Sequence, residues 1–466
     1  MNDNNLKNIK IIPDLKKSIE KIKEISGGSS DVLINEFVSG GIHCALLCCE
    51  GMVSTAVITE LIFEPITNIS AKKDSHELFH YIQEMLLLSN DRPEAYDYDT
   101  LFRLLNSGFA VLLADKIDKA LAFGVQGYAS RSIQEPSGEA NIMGAHEGFV
   151  ETVRTNMSLI RRRLKSPALV MELMVKGEKS RTDLCLCYMQ DRVPKGLMNK
   201  IRKSLDKIEL ESILSTGYIR PFVESDNFEL FSSTGTTERP DVLCSKLIEG
   251  RVALLVDGVP FAIVIPRLFC ESFQTLDDYS FKPYYATFIR WIKYGAFVIS
   301  VLLPAVYAAI VMHHPELLNS TLLMLLVESE KQAPLSIITE SIGVLLMYEI
   351  IREAGIRLPK PVGGAVSIVS GLIIGDAAVS SGLISTPLLT MTALAVISGF
   401  AVPELNPAVT ILRFAFLANI CATEDYGFPY TAPLSPFAKS GMEDTAIRSG
   451  MKKMQNRGFT VEEYHE

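Results

Sequence analysis

The chain has 466 residues and a formal net charge of −9, from 45 lysine and arginine and 54 aspartate and glutamate residues. This acidic balance argues against nucleic acid as a partner, because contact with the phosphate backbone needs a basic surface. The sequence has no P-loop GK[ST], no GxGxxG after an apolar strand and no GxSxG, and its eight cysteines include no CxxC pair. We therefore expect no nucleotide-driven enzyme and no bound cofactor, and we expect buried, reduced thiols.

The polar N-terminal part predicts an α/β fold. Residues 16–25 alternate Lys and Glu with Ile, which predicts an amphipathic helix that ends at Gly27 and Gly28. A short apolar strand, an acidic or glycine turn and a second apolar run then recur in four stretches: 44–54, 109–123, 184–193 and 251–265. Because helical stretches separate them and they fall in two pairs, we expect two α/β subdomains, residues 1–140 and 141–280.

A basic helix is predicted between the two subdomains, within residues 144–167. Its cations are Arg154, Arg161, Arg162, Arg163 and Lys165. Such a helix suits contact with anionic lipid or an acidic protein. It equally suits a solvated face that packs between the subdomains, because the arginines do not all fall on one face. Both interpretations stay open, and since the chain starts with a polar pattern rather than a signal peptide, we expect both subdomains in the cytoplasm.

The stretch 281–421 is apolar with sparse charge and predicts an α-helical transmembrane domain. Its span candidates are 294–312, 335–351 and 361–403. The last run holds one charge and would extend roughly 65 Å as a helix, about twice the hydrocarbon thickness. It therefore predicts a hairpin of two spans hinged near Gly382 and Pro387. We expect about four spans, with residues 317–334 interfacial or re-entrant and residues 422–466 forming a polar cytoplasmic tail.

Three carboxylates lie inside these apolar runs, those of Glu340, Glu349 and Asp376. An ionisable side chain that faces lipid costs at least ~2.5 kcal/mol, so we expect Asp376 to face a polar interior, a partner helix or a pore. The alternative that it reaches the membrane interface from a helix end stays open. All three are candidates for an ion path. Gly371 and Gly375 form a GxxxG and are candidates for close helix packing, with a narrow polar lining as the alternative.

A second chemical motif lies in the first subdomain, where residues 76–80 read HELFH. His76, Glu77 and His80 match the HExxH of zinc proteases, with two imidazoles on one helix face and a glutamate as base. Five-residue matches arise by chance, no third ligand motif follows, and the stretch is otherwise an ordinary charged amphipathic pattern. We therefore expect no metal site here.

Several motifs together resemble a known family. They are SDV at 30–32, NEF at 35–37, EGFVE at 147–151, RTN at 154–156, LIRRRL at 159–164, TERPD at 237–241, LIEGRV at 247–252, VDGVPF at 256–261, EAGIRLP at 353–359 and GDAAV at 375–379. In this combination they resemble the A subunits of the GerA-type spore germinant receptors, from about residue 29 to residue 413.

The resemblance implies a sporulating bacterium of the Bacillus or Clostridium kind and a multi-pass protein of the spore inner membrane rather than an enzyme. It implies two partners, a transporter-like B subunit that senses the nutrient and a lipoprotein C subunit. It also implies a homo-oligomeric ring that conducts monovalent cations once nutrient binds. Residues of the matched motifs are implied as structural or partner contacts: Arg161, Arg162, Arg163, Glu238, Arg239, Asp241 and Asp257.

The chain departs from the family pattern after Arg413. Family members carry a long glycine-rich apolar span between the LRF motif and a later FG-PY-P motif, whereas residues 411–436 pass from one motif to the other almost directly. The fifth span of the family is therefore expected to be truncated. This departure favours an alternative function, a non-conducting membrane scaffold or accessory paralogue that assembles germination proteins through its α/β domains.

Overall fold

The computed structural model describes residues 6, 9–69, 74–85, 91–127, 145–224, 229–357 and 375–421. The chain divides into two units. The sheet unit comprises Met1–Glu271 with Thr275–Ser280, and the helical unit comprises Ser272–Gln274 with Phe281–Glu466. The finer domain ranges expected from the sequence stay predictions.

The first half of the sheet unit is built on a five-stranded antiparallel sheet with the order β1-β2-β4-β5-β3. Its strands are β1 (Val32–Ser39), β2 (Ile42–Cys49), β3 (Glu94–Ala95), β4 (Phe109–Ala114) and β5 (Ala120–Gly124). Its helices are α1 (Leu15–Ile25), α2 (Thr55–Ile58), α3 (Glu64–Thr67), α4 (Ser75–His80) and α5 (Tyr98–Leu105), with π-helical turns at Thr59–Phe63 and Tyr81–Met85. Asp14 caps α1 by accepting a hydrogen bond from the Lys17 amide at 3.2 Å.

The apolar runs become central strands because both of their faces are buried. In β2, Ala45 and Leu47 pack with α1 and α5, while Leu46 and Cys48 pack on the opposite face with the helices between residues 55 and 85. A strand buried on both faces needs a continuous apolar run rather than alternation. The first half is therefore a three-layer α/β/α arrangement.

The second half repeats this strand order as β6-β7-β9-β10-β8, again antiparallel throughout. Its strands are β6 (Leu169–Lys176), β7 (Thr182–Met189), β8 (Gly235–Thr237), β9 (Val252–Val256) and β10 (Ala262–Ile265). Its helices are α6 (Val153–Arg163), α7 (Lys195–Asp206), α8 (Arg220–Val223) and α9 (Pro240–Ile248). One sheet face packs on α6 and α9 and the other on α7, so the two halves share one architecture.

The four predicted strand–turn stretches fold in two different ways. Residues 109–123 and 251–265 form the hairpins β4–β5 and β9–β10, and Gly258 takes a φ of 84° in the second turn. The other two stretches supply one strand each, β2 and β7, and the apolar run after the turn forms no named strand there. The hairpin partners β1 and β6 instead precede them. Both are edge strands, and polar residues interrupt their apolar runs, Asn35 and Glu36 in β1 and Glu172 in β6.

The described residues of the helical unit are mainly helical. They are α10 (Pro283–His313), α11 (Ser320–Gln332), α12 (Ile337–Arg357), α13 (described over residues 375–380), α14 (Thr386–Gly399) and α15 (Asn406–Cys421). Val301 of α10 packs with Val409 of α15, and Ala308 of α10 packs with Leu345 of α12 and Leu417 of α15. The long helix α10 thus contacts the other helices around it.

Among the described residues, one helix is long and apolar enough to cross a membrane, the 31-residue α10. There is a second crossing if α14 and the helical stretch Pro403–Ala418 together form one broken span. These two pieces meet at a bend of 109°. The second arm of the predicted 361–403 hairpin corresponds to α14, which alone is too short to count as a span. Fourteen residues of α14 reach only about 21 Å as a helix, and Pro403, which lacks an amide donor, starts a new turn after the break. The predicted hinge does contain a turn, with Gly382 at a φ of 69°. The first arm, residues 361–374, lies outside the described residues, and the count of four spans stays a prediction.

Candidate functional site

Arg161 of α6 forms a buried ion pair inside the sheet unit. It is 1% exposed, and its guanidinium donates to both carboxylate oxygens of Asp31, from Nε at 2.7 Å and from Nη2 at 2.9 Å. The remaining donors reach the carbonyl oxygens of Ser166 at 3.1 Å and Leu169 at 2.9 Å, and the Ser29 hydroxyl at 3.2 Å. Burial alone would lower the pKa of Arg161, but Asp31 outweighs it and raises the pKa. The arginine is therefore charged and fully bonded.

This ion pair joins the two halves of the sheet unit. Asp31 immediately precedes β1, whereas Arg161 lies on a helix that covers the second sheet. Beside the pair, the Ser30 amide donates to the Met171 carbonyl at 2.8 Å, and the Met171 amide donates to the Ser29 hydroxyl at 2.9 Å. Residues 29–31 thus extend the edge of β6, and the buried charge pair closes this joint.

The neighbouring arginines of α6 also have acidic partners. Arg162 and Arg163 both donate to Glu147, at 2.5 and 2.7 Å. Arg154, which is partly exposed, donates to Glu50 at 2.5 Å and so makes a second contact between the halves. These contacts support the interpretation in which the basic helix packs between the subdomains.

The remaining motif residues of the sheet unit hold the segment that leads into α6. Asp257 accepts a hydrogen bond from the Val153 amide at 2.9 Å, at the first turn of the helix, where a carboxylate is favourable. The Phe149 amide donates to the Glu238 carbonyl at 2.7 Å. Arg239 pairs with Asp241 at 2.6 Å. In the described chain these family-motif residues make intramolecular contacts.

Six thiols of the sheet unit are buried, those of Cys44, Cys48, Cys49, Cys185, Cys187 and Cys244, whereas Cys270 is exposed. Burial raises the pKa of Cys48 to about 11 and the pKa values of Cys44 and Cys244 to about 12. A thiol needs a lowered pKa to be a good nucleophile. These cysteines are therefore packing residues.

The HExxH match lies on the surface. His76, Glu77 and His80 are all exposed on α4, and the His80 Nε2 lies 3.4 Å from a Glu84 carboxylate oxygen. Within the described part of the chain, no group of three or more His, Cys, Asp or Glu side chains is placed to hold a metal ion.

In the helical unit, Glu340 of α12 is 1% exposed. One carboxylate oxygen accepts a hydrogen bond from the Ser385 amide, at the N-cap of α14. The other oxygen, Oε2, is buried and has no hydrogen-bond partner among the described residues. The Ser385 hydroxyl donates to a second carboxylate, that of Glu330 in α11, at 3.0 Å. Two acidic side chains from different helices therefore converge on one serine.

Glu349 is in a different environment. It forms an ion pair with Arg352 at 2.6 Å, accepts a hydrogen bond from Thr410 at 3.0 Å and lies 4.0 Å from Arg413. Arg413 is 3% exposed and donates to the carbonyl and hydroxyl oxygens of Ser300, at 2.6 and 2.5 Å. Glu349 is thus neutralised within a network that ties α12 and α15 to α10.

The structure places Asp376 and Gly375 at the described start of α13. Asp376 is exposed in the single chain. A Cβ added at Gly375 would meet only the Leu389 side chain, at 3.9 Å, which is ordinary contact. The close packing predicted there is not present within the described chain, and Gly371 lies outside the described residues. Gly399 is more tightly packed than Gly375, because a Cβ there would lie 2.9 Å from the Ser300 hydroxyl and 3.1 Å from Arg413.

The sequence interpretation missed Glu330, Ser385 and Arg413. Arg413 gave the same indication as Asp376, a charge inside an apolar run, and the same argument would have found it. Glu330 and Ser385 could not be paired from sequence, because 55 positions separate them and no periodicity links two helices.

The chain matches the family model described as Bacillus/Clostridium GerA spore germination protein over residues 20–420. It is 36% identical to spore germination protein KA of Bacillus subtilis (strain 168), an alignment that covers 94% of this chain and 85% of that protein. It is 32% identical to a Bacillus subtilis (strain 168) protein named uncharacterized membrane protein YfkQ, over 97% of this chain and 92% of that one.

Among solved structures, the chain is similar to the N-terminal domain of the A subunit of the Bacillus megaterium spore germinant receptor GerK3. The TM-score is 0.45 at 28% identity, over 56% of this chain and 97% of that one. The family match extends through both the sheet unit and the helical unit. The chain therefore belongs to the GerA family of spore germination proteins.

Proposed function

We propose that this protein is the A subunit of a nutrient germinant receptor in the spore inner membrane, where copies of the chain form or gate a cation channel that starts germination. Membership of the GerA family supports the receptor role. A transporter-like B subunit and a lipoprotein C subunit are the partners in this proposal, and the sheet unit faces the cytoplasm. The protein acts by binding and gating, without an enzymatic step.

The observation that carries the channel proposal is the buried Glu340. A carboxylate in an apolar helical unit is costly unless a counter-charge or an ion is present. Glu349 has its counter-charge in Arg352, and so we assign it to helix packing rather than to the ion path. Glu340 has no basic partner among the described residues, and one of its oxygens is free of hydrogen bonds. It is therefore the first candidate for a cation-attracting position.

Asp376 is the second candidate. In the single chain it is exposed on α13, the helix that precedes the turn containing Gly382. A carboxylate exposed in one copy of a membrane protein can line a pore once several copies assemble, because a ring of acidic side chains attracts cations. Gly375 next to it would then pack against a neighbouring copy rather than within its own chain.

Spores that carry Glu340→Gln test this proposal. After nutrient addition, potassium in the medium is followed with an ion-selective electrode, and the amount of protein in the membrane fraction is checked by immunoblot. We expect slower potassium release at unchanged protein amount. Glu353→Gln is the matched control, since Glu353 lies on the same helix but is exposed and paired with Arg357. Equal release from all three strains would contradict the channel proposal.

A non-conducting scaffold is the second candidate function. It is favoured by a specific observation, that among the described residues one helix, or two with the bent pair, is suited to crossing the membrane. The size of the purified complex in detergent separates the two proposals. A ring of several copies supports the channel, whereas a monomer that still binds germination proteins supports the scaffold.

A further inference from the structure

Two carboxylates meet at the N-terminus of α14. Ser385 is the N-cap residue of this helix and is 3% exposed. Its amide donates to Glu340 and its hydroxyl donates to Glu330. The helix N-terminus carries roughly half a positive charge, which favours a nearby carboxylate. This partial positive charge is too small to balance the negative charges of two carboxylates.

Two buried oxygens at this place have no hydrogen-bond partner within the described parts of the chain. One is Oε2 of Glu340, and the other is the hydroxyl oxygen of Tyr307 in α10, a residue that is 7% exposed. Tyr307 packs with Leu326 of α11 and Leu388 of α14, and its hydroxyl is close enough to Glu330 and Glu340 to interact with both electrostatically. An unpartnered buried polar atom costs free energy, and a place with two of them calls for a ligand that satisfies both.

The chemistry of these atoms indicates the class of ligand. Carboxylate and hydroxyl oxygens are the donors that hard cations prefer. No basic side chain forms an ion pair with Glu330 or Glu340 in the part of the chain that the structure describes. Glu330 is partly exposed, so water can solvate its carboxylate. The carboxylate of Glu340 is fully buried and is therefore the one that needs a counter-charge. A single positive charge fits this need.

We propose that Glu340, Glu330, Ser385 and Tyr307 form a binding site for one monovalent metal cation, potassium or sodium, at the N-terminus of α14. The inference rests on the proposed function, since a cation held here lies in the unit that we assign to conduction. The four residues belong to α11, α12, α10 and the cap of α14. A bound cation therefore holds four segments of the helical unit together, and its departure loosens their packing.

The site is tested on the purified full-length protein in detergent or nanodiscs. Thermal unfolding is measured while potassium chloride replaces N-methyl-D-glucamine chloride at constant ionic strength. The wild type is expected to show a saturable rise of the melting temperature with potassium or sodium. Tyr307→Phe and Glu340→Gln are expected to raise the half-saturating concentration at least about tenfold, which corresponds to about 1.4 kcal/mol of binding free energy. Tyr348→Phe and Glu353→Gln are matched controls on α12 and retain the wild-type response.

Tyr307→Phe distinguishes the cation site from a merely unsatisfied hydroxyl. Loss of an unpartnered buried hydroxyl should raise the melting temperature by the same amount in both salts and leave the potassium response unchanged. That result overturns the proposal. It is equally overturned if the wild type responds to pH or magnesium but not to potassium or sodium, since the ligand is then a proton or a divalent ion.

The proposed site and the proposed channel fail separately. If Glu340→Gln loses cation binding but its spores release potassium normally, the cation site is supported and is not part of the ion path. If Glu340→Gln spores release potassium slowly but the purified wild-type protein binds no cation, the channel proposal is supported and the cation site is overturned.

Discussion

The Asp31–Arg161 pair makes the sharpest prediction about the sheet unit. Asp31→Asn removes the counter-charge but keeps the side-chain shape, so that the guanidinium of Arg161 stays buried without a partner of opposite charge. Breaking a buried pair from one side costs about 3–5 kcal/mol. Because asparagine still offers one acceptor oxygen, we expect the lower end, about 3 kcal/mol. At roughly 2–4 °C per kcal/mol for a domain of this size, the melting temperature of the sheet unit should fall by about 6–12 °C.

The buried cysteines supply the assay. With Cys270 and Cys421 replaced by serine, the remaining cysteines are Cys44, Cys48, Cys49, Cys185, Cys187 and Cys244, all of them buried in the sheet unit. A dye that becomes fluorescent on reaction with thiols therefore reports unfolding of this unit within the full-length protein during a temperature ramp.

Arg154→Gln is the matched control for this prediction. Arg154 lies on the same helix and also contacts the first half of the sheet unit, but its side chain is 44% exposed, and exposed pairs contribute at most about 1 kcal/mol. The double variant Asp31→Leu with Arg161→Met should recover part of the loss, since replacing both charges leaves neither unpaired. If Asp31→Asn lowers the melting temperature no more than Arg154→Gln does, the buried pair does not stabilise the joint as argued.

Further predictions concern packing and pH. Gly399→Ala places a methyl group against Ser300 and Arg413 and should destabilise the helical unit by about 1–3 kcal/mol, whereas Gly295→Ala, with no atom within 4 Å of the added Cβ, should be neutral in the same detergent melt. Burial raises the pKa of Glu271, but Arg251 and Lys246 outweigh it and hold the pKa below its usual 4.5. A carboxyl with a lowered folded-state pKa stabilises the fold above its unfolded value and loses this contribution as pH falls through the folded value. The free energy of unfolding of the sheet unit should therefore fall as the pH drops below about 4.5. In Glu271→Gln this fall with pH should be less steep than in the wild type. An equal pH dependence in both proteins would contradict the pairing of Glu271 with Arg251 and Lys246.

The sequence predicted the central strands well, for a physical reason. A strand buried on both faces must be apolar throughout, and the stretches around β2, β4, β7 and β9 are such runs. The edge strand β1 was missed because the consecutive Asn35 and Glu36 interrupt its apolar residues, which leaves two short apolar stretches and no clear pattern. The strand order that the two halves share also could not be predicted from the sequence. Strand pairing depends on contacts between residues that are far apart in the chain.

The candidate site was predicted only in part. Glu340 stood out as a carboxylate in an apolar run, and its burial agrees with the reasoning that brought it forward. Its neighbours Glu330 and Ser385 come from other helices, and helix packing is not encoded in local periodicity. Glu349 shows the limit of the same argument, because a carboxylate in an apolar run can have its counter-charge in an arginine three positions away.

The channel proposal is tested most directly by conductance. The purified protein is reconstituted in a planar bilayer with the B and C subunits of its receptor, with potassium on both sides, and current is recorded before and after nutrient addition. We expect nutrient-dependent current steps that are smaller in Glu340→Gln and unchanged in Glu353→Gln. If the complex assembles but passes no current when nutrient is present, the channel proposal is contradicted and the scaffold proposal is supported.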